Sequence, residues 1–339
     1  MTAPAMAAEF DDVAGWTAEA VERLGPLGRR HAIPAACRGS ASPAALAWLA
    51  EACELTAGTR LLDVGAGAGG PAAWAAERFG VRPVLLEPMP AACRAASRLF
   101  GLPVVTADGR RIPLRSASMD AAWCLGVLCT LRDKAALLGE IHRVLKPGSS
   151  LGLLVVVARG PRISPAPAGN HFPTGAELTA LLRAAGFDPV EEIGHPGGAP
   201  RSWSRRADQV AAIIARRHRT HPAYALAADQ DERFARLFAT GQVAMRLVHA
   251  VSRPANGHVT HGGTMTTPTG DHEFLREFET EVQAELDMAE ASLPQEAAAL
   301  PPSEWLYDPA DVERDEIGLR DLLGAAEALD QQPRPGEDT

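Results

Sequence analysis

The sequence predicts an α/β fold: a seven-stranded, mostly parallel sheet with helices on both faces and an antiparallel last strand. Three observations carry that expectation. Between residues 60 and 194, short Val- and Leu-rich runs alternate with helix-period segments, the pattern of a parallel sheet covered on both sides. The first run, Arg60-Leu61-Leu62-Asp63-Val64, breaks into glycines at 65, 67, 69 and 70, as a buried strand does when it turns sharply into a helix. Residues 243–251, Val-Ala-Met-Arg-Leu-Val-His-Ala-Val, alternate as a final strand would.

Taken in order, residues 8–24 and 42–55 read as helices joined by a Gly/Pro/Arg-rich connection at 25–41, so that 1–41 form an N-terminal helix and lid segment. Candidate strands run over 60–65, 83–87, 103–107, 119–125, 150–158 and 188–193. Pro71 stands in the first turn after the glycines, where its fixed φ fits and its missing N–H costs nothing. Asp133 is placed to cap the helix carrying Leu137, Leu138, Ile141, Val144 and Leu145, which stops at Lys146-Pro147-Gly148. Thr174-Gly175-Ala176-Glu177 is a capping-box pattern opening a helix that Gly186 ends. A helical insertion at 203–240 separates strands six and seven, which pair antiparallel at one sheet edge. The result is a Rossmann-like domain over 42–254 with 203–240 as a cap. Residues 255–339 read as a linker, an amphipathic helix at 273–293 striped by Phe274, Phe278, Val282, Leu286, Ala289 and Leu293, and an acidic, partly disordered tail.

Composition narrows the class. At 339 residues the chain suits roughly two domains of ~150 residues, and its 46% apolar content supports a sizeable core. No apolar run approaches the ~20 residues of a membrane span, and Glu9, Asp11 and Asp12 stand where a signal peptide needs a basic start and an apolar stretch, so a cytoplasmic protein is expected. Five scattered cysteines without a C-x-x-C pair suggest neither a disulfide framework nor zinc, and the histidine pairs His218/His221 and His258/His261 lack acidic or cysteine partners at ligand spacing. No metal is expected. Between Asp271 and Thr339 fall 20 acidic and 4 basic residues, leaving residues 1–270 with a net +7 within a whole-chain charge of −9. The arginines are spread and the only lysines are Lys134 and Lys146, so the basic body reads as a solvated surface rather than a nucleic-acid face.

Gly65, Gly67 and Gly70 spell G-x-G-x-x-G, a pattern that a dinucleotide-binding turn also satisfies. The next two strand ends discriminate further. Open parallel sheets bind ligands at the carboxyl ends of their strands. Strand one delivers Asp63 there, strand two Glu87, and strand three Asp108 with Gly109. Glu87 lies 22 residues past Gly65, a spacing that suits a carboxylate accepting ribose hydroxyls, and Asp108 is placed to accept from an adenine amine. A carboxylate at 63 has no use beside a negatively charged pyrophosphate, which counts against NAD.

On these segments the chain resembles the class I S-adenosylmethionine-dependent methyltransferases of small-molecule type. The resemblance runs through Leu61–Gly69, Leu86-Glu87-Pro88, Ala107-Asp108-Gly109 with Ile112-Pro113-Leu114, Met119–Trp123 and Glu140–Gly148, and spans roughly residues 30–254. It departs at Ser149, where family members usually carry Gly. The resemblance implies that Asp63, Gly65, Ala66, Gly67 and Gly69 cradle the methionine part of S-adenosyl-L-methionine. It assigns Glu87 and Pro88 to the ribose, Asp108 and Gly109 to adenine, and Leu125 to the cofactor wall. The implied reaction is in-line methyl transfer to an oxygen, nitrogen or carbon of a small molecule, achieved mainly by positioning and desolvation. If a base is needed for a hydroxyl acceptor, His31 and His171 are the candidates; with Trp203 they are also the candidate acceptor-binding residues. Trp123 reads as core. Base-methylating enzymes carry an Asn/Asp-Pro-Pro-aromatic signature after strand four, and Cys124-Leu125-Gly126-Val127 stands there instead. Two alternatives stay open: an NAD(P)-dependent oxidoreductase, or a non-catalytic cofactor-binding module whose 273–293 helix docks a protein partner or a second copy.

Overall fold

Leu61, Leu62, Asp63 and Val64 are all buried, on both faces of their strand, which is what a central position in a covered sheet requires. The computed structural model describes residues 6, 8–38, 41–160, 163, 166–197, 199–254 and 283. The chain divides into two units, Met1–His258 and Val259–Thr339. The architecture below is that of the first; the expected linker, 273–293 helix and acidic tail lie outside the described residues, Gln283 apart.

β1 (Arg60–Val64) pairs in parallel with β2 (Arg82–Glu87) on one side and β4 (Met119–Leu125) on the other. With β3 (Val104–Thr106), β5 (Leu145–Ala158), β6 (Phe187–Gly194) and β7 (Val243–Ser252), the sheet order is β3-β2-β1-β4-β5-β7-β6. β7 inserts between β5 and β6 and runs antiparallel to both. The strand order reverses between β1 and β4, which are parallel, and the carboxyl ends of β1, β2 and β4 open on the same crevice.

Helices α1 (Val13–Arg23), α2 (Gly28–Ala36) and α3 (Pro43–Ala52) precede the sheet; α4 (Gly70–Phe79), α5 (Pro90–Phe100), α6 (Lys134–Val144) and α7 (Gly175–Ala184) alternate with its strands. α6 and α7 cover one face through Leu137, Leu138, Ile141, Leu178 and Leu182, packed on Leu62, Val64, Ala122 and Cys124. α3 and α4 cover the other through Leu46, Leu49 and Trp74, packed on Leu61, Ala121 and Trp123. The period-2 alternation of β1 and β4 thus feeds two separate cores, and Trp123 is fully buried in the second. The expected caps form: Asp133 accepts from Ala136 N at 3.0 Å, and Thr174 and Glu177 make a reciprocal capping box. The insertion folds as α8 (Arg201–His218) and α9 (Pro222–Ala239).

Two expectations are corrected. The connection at 25–41 contains the helix α2. Pro34 removes one internal hydrogen bond from it, but burial of Ala32, Ile33 and Ala36 and packing on α1 and α8 outweigh that local signal. A Cβ at Gly28 would lie 2.3 Å from Val21 O, so glycine is what lets α2 start against α1. The second correction concerns Lys146-Pro147-Gly148, which follows the helix not as a turn but as the start of β5: Leu145 already pairs with Met119, and the register shifts before Ala121 meets Ser150.

Candidate functional site

At the end of β1 the backbone reverses through Gly65 (φ +72°), Gly67 (φ +55°) and Gly69 (φ +83°), values that a side chain would strain. Gly65 N and Ala66 N both donate to Leu86 O, at 2.7 and 3.2 Å, which ties the turn to β2. The glycines differ in what demands them. A Cβ on Gly65 would sit 2.3 Å from Val127 Cγ2, whereas one on Gly67 would meet nothing within 4 Å. Packing requires the first; at the second the peptide lies open to a ligand.

Asp63 is 1% exposed, and among the described residues its Oδ2 has no hydrogen-bond partner. Burial, then the charge of Glu87, pushes its carboxyl up to about 7. A buried carboxylate without a partner is expensive to ionise, and a cation placed beside it would offset that cost. Glu87, also buried, folds its carboxylate back on the backbone, Oε2 accepting from Gly67 N at 2.9 Å and Oε1 from Met89 N at 3.0 Å. Burial raises its pKa, and those two N–H donors oppose the rise. Each oxygen keeps a further lone pair for a hydroxyl donor. Asp108 is held by Arg110, whose guanidinium and backbone N–H both donate to it, and this lowers its pKa. The loop beyond it is braced from α6: Glu140 accepts from Ile112 N at 2.8 Å, and Arg143 donates to Ile112 O and Leu114 O. A Cβ on Gly109 would come within 2.5 Å of Leu137 Cδ1, so that glycine serves packing.

A cavity of about 360 Å³ opens at these strand ends. Of the expected cofactor residues, Asp63, Gly65, Ala66, Gly67 and Leu125 line it; Gly69, Glu87, Pro88, Asp108 and Gly109 do not, although Glu87 reaches it through its bond to Gly67 N. None of the three candidate acceptor residues lines it. His31 is buried between α2 and α8, with Nε2 2.6 Å from Gln209 Oε1 and Nδ1 2.8 Å from Leu27 O, so both ring nitrogens are engaged in holding the helices together. Trp203 packs against the α3–α4 core. His171 is half-buried beside the cavity wall; its backbone N donates to Cys129 O, and burial with Arg132 and Lys134 lowers its pKa. A larger open cleft of about 570 Å³ lies by β6 and β7, lined by Arg159, His195 and Arg246 among others, and contains no expected site residue.

Residues 62–153 match the family described as a methyltransferase domain. Two curated relatives agree. Methyltransferase GfsG of Streptomyces halstedii is 31% identical over 119 residues, covering 33% of this chain and 43% of that one. O-methyltransferase resE of Aspergillus sclerotiorum is 32% identical over 152 residues, covering 40% and 57%. Over this segment the chain is similar to methyltransferases. It spans about half the length of those curated relatives. Among solved structures, the [4+2]-cyclase SpnF superposes on the methyltransferase fold with a TM-score of 0.51 at 24% identity, covering 61% of this chain and 79% of that one.

The cavity has walls that the motifs did not announce. Phe10, Ala14 and Thr17 come from the N-terminal segment, Ala35 and Ala36 from α2, and Phe234, Phe238 and Met245 from α9 and β7. The N-terminal wall is fastened by Asp11, which accepts from Ala91 N and Ala92 N at the start of α5, and by Glu22, which holds Arg98 bidentately. Thr130, Asn170 and Asp231 add polar groups. No sequence signal marks most of these. Asn170 alone stood beside a residue that was singled out, His171. Among the described residues no cluster of three His, Cys, Asp or Glu could hold a metal ion, and no helix is long and apolar enough to cross a membrane.

Proposed function

We propose that this protein transfers a methyl group from S-adenosylmethionine to a small-molecule acceptor held in the 360 Å³ cavity. One observation carries the reading: the buried, partnerless Asp63 Oδ2 beside a glycine turn, the environment that fits the ammonium end of that cofactor. When bound, S-adenosylmethionine supplies a methyl on a sulfonium, open to in-line displacement without a metal. The chain's own residues then have three tasks. Asp63, with Gly65 and Gly67, fixes the amino-acid end; Glu87 accepts from the ribose hydroxyls; Asp108, released from Arg110, accepts from the base. Leu125, Phe10, Phe234, Phe238 and Met245 supply an apolar wall that excludes water, and holding two reactants dry and aligned is worth roughly 7–11 kcal/mol.

Residues 1–41 and the 203–240 cap act as lids in this reading, because both contribute to the cavity wall. The acceptor atom is oxygen, nitrogen or carbon; with His31 engaged on both nitrogens, His171 is the remaining candidate base for a hydroxyl acceptor. That O-methyltransferase resE is among the relatives is compatible with oxygen. A cytoplasmic location is proposed on the sequence, whose five scattered cysteines form no C-x-x-C pair, and a partner role for the 273–293 helix rests on its apolar stripe alone. Incubating a metabolite extract with the protein and methyl-labelled S-adenosylmethionine tests the function. The expected result is a species heavier by one labelled CH₂ equivalent; cofactor binding with no labelled product from varied extracts contradicts it.

A further inference from the structure

Among the described residues three buried side-chain polar atoms have no hydrogen-bond partner: Asp63 Oδ2, Trp123 Nε1 and Asn170 Oδ1. Trp123 is enclosed in the core, but Asp63 and Asn170 line the same cavity. Buried polar atoms are nearly always satisfied in folded proteins. Asp63 answers to the cofactor; Asn170 has no such role. We infer that Asn170 is a specificity-determining residue, its Oδ1 accepting a hydrogen bond from an O–H or N–H of the acceptor. This rests on the methyltransferase reading of the cavity.

The surroundings of Asn170 fit a built site rather than a loose loop. The residue is 7% exposed, and its Nδ2 donates to Ala168 O at 3.4 Å, which turns Oδ1 away from that carbonyl. The Ala168 peptide is clamped on both sides by Gln230 of α9, itself 1% exposed: Ala168 N donates to its Oε1 and its Nε2 donates to Ala168 O, each at 3.1 Å. From the other side, His171 N donates to Cys129 O at 2.6 Å, and Asn170 N to Pro167 O at 3.1 Å. Three hydrogen bonds to neighbouring elements therefore fix the segment between the loop after β4 and the cap, and the Asn170–Pro167 bond tightens it internally. Among the described residues no donor reaches Oδ1, so a group that satisfies it comes from the cavity. Leu125, Val156, Phe234 and Met245 make the rest of that wall apolar. The acceptor class that matches is an apolar body bearing a hydroxyl or amine N–H. A molecule lacking the donor leaves Oδ1 buried and unpaired, which is how a site rejects an analogue without the polar group.

The test uses phenol and anisole, in which a methyl group replaces the donor hydrogen, titrated by ligand-observed NMR into the full-length protein saturated with S-adenosylhomocysteine. Wild type should bind phenol in preference to anisole by roughly five- to tenfold. Asn170→Leu, of similar size, should erase that preference, and Asn170→Asp, which keeps an acceptor oxygen, should retain it. Equal binding of the two probes by wild type, no binding of either, or a preference surviving in Asn170→Leu overturns the inference. Calorimetry with S-adenosylhomocysteine is run on all three proteins and should give equal affinities. Failure of wild type to bind it overturns the methyltransferase reading instead, and a loss confined to both variants marks Asn170 as a structural residue and overturns this one.

Discussion

Asp63 shows how one residue links sequence, stability and binding. Its position before Val64-Gly65 placed it at the strand end, and the fold buried it without a partner. The folded protein therefore keeps a proton on Asp63 between the ordinary carboxylate range and about pH 7, where the unfolded chain has already lost it. By linkage, the empty protein loses stability as pH rises through that window, and Asp63→Asn should flatten the loss in thermal denaturation. A cationic ligand group reverses the balance. S-Adenosylmethionine should release a proton on binding near pH 6, seen as buffer-dependent calorimetric heats, and should bind roughly tenfold more tightly at pH 8 than at pH 6. Unchanged affinity across that range would remove Asp63 from the ammonium site. Gly67 makes a second residue-scale test: with φ +55° and open space around it, Gly67→Ala should cost about 1–2 kcal/mol of stability yet fold, while binding S-adenosylhomocysteine far more weakly. These residues were legible because a glycine turn after a carboxylate is a local pattern. Asn170 was not, because its burial and missing partner arise from contacts with α9 and the β4 loop, distant in sequence. The bond of His31 to Gln209 was unreadable for the same reason, since it forms only where α8 packs on α2.

The elements were more readable than the side chains. Strands announced themselves through apolar runs, and the caps at Asp133 and Thr174 formed where the local chemistry put them. α2 was hidden by its glycine and proline, since those residues signal a break when read without their tertiary setting. The docking of the N-terminal segment on α5 was likewise unreadable, because Asp11 caps a helix some 80 positions away, at Ala91 and Ala92. Asp11→Ala should lower stability by roughly 0.5–2 kcal/mol, the usual worth of a helix cap. It should also speed hydrogen exchange in α1 and weaken S-adenosylhomocysteine binding, since Phe10, Ala14 and Thr17 wall the cavity. Exchange unchanged in α1 would mean that this contact does not hold the wall in place.

At the scale of the molecule, the sheet is complete at Ser252, and the unit containing it ends at His258, ahead of the acidic stretch that follows. A chain ending at Pro254 should unfold cooperatively and bind S-adenosylhomocysteine as the full chain does; a large loss of affinity would draw the C-terminal unit into the site. The alternation of strands and helices made the sheet legible at this scale, and the insertion at 203–240 was readable as a cap; which of its side chains wall the cavity was not, since Asp231, Phe234 and Phe238 carry no motif and act through where α9 packs. Fold by itself does not choose the chemistry, as the likeness to a cyclase makes plain. The choice falls on the three strand-end carboxylates, and the cofactor they select is the central claim. Titration calorimetry of S-adenosylmethionine and, separately, NADH into the full-length protein and Glu87→Ala tests it most directly. The account requires one-to-one binding of S-adenosylmethionine by wild type, a loss of roughly 1.5–3 kcal/mol in Glu87→Ala from its charge-assisted hydrogen bonds, and no binding of NADH. Tight binding of NADH without S-adenosylmethionine, or equal binding by the variant, would contradict it.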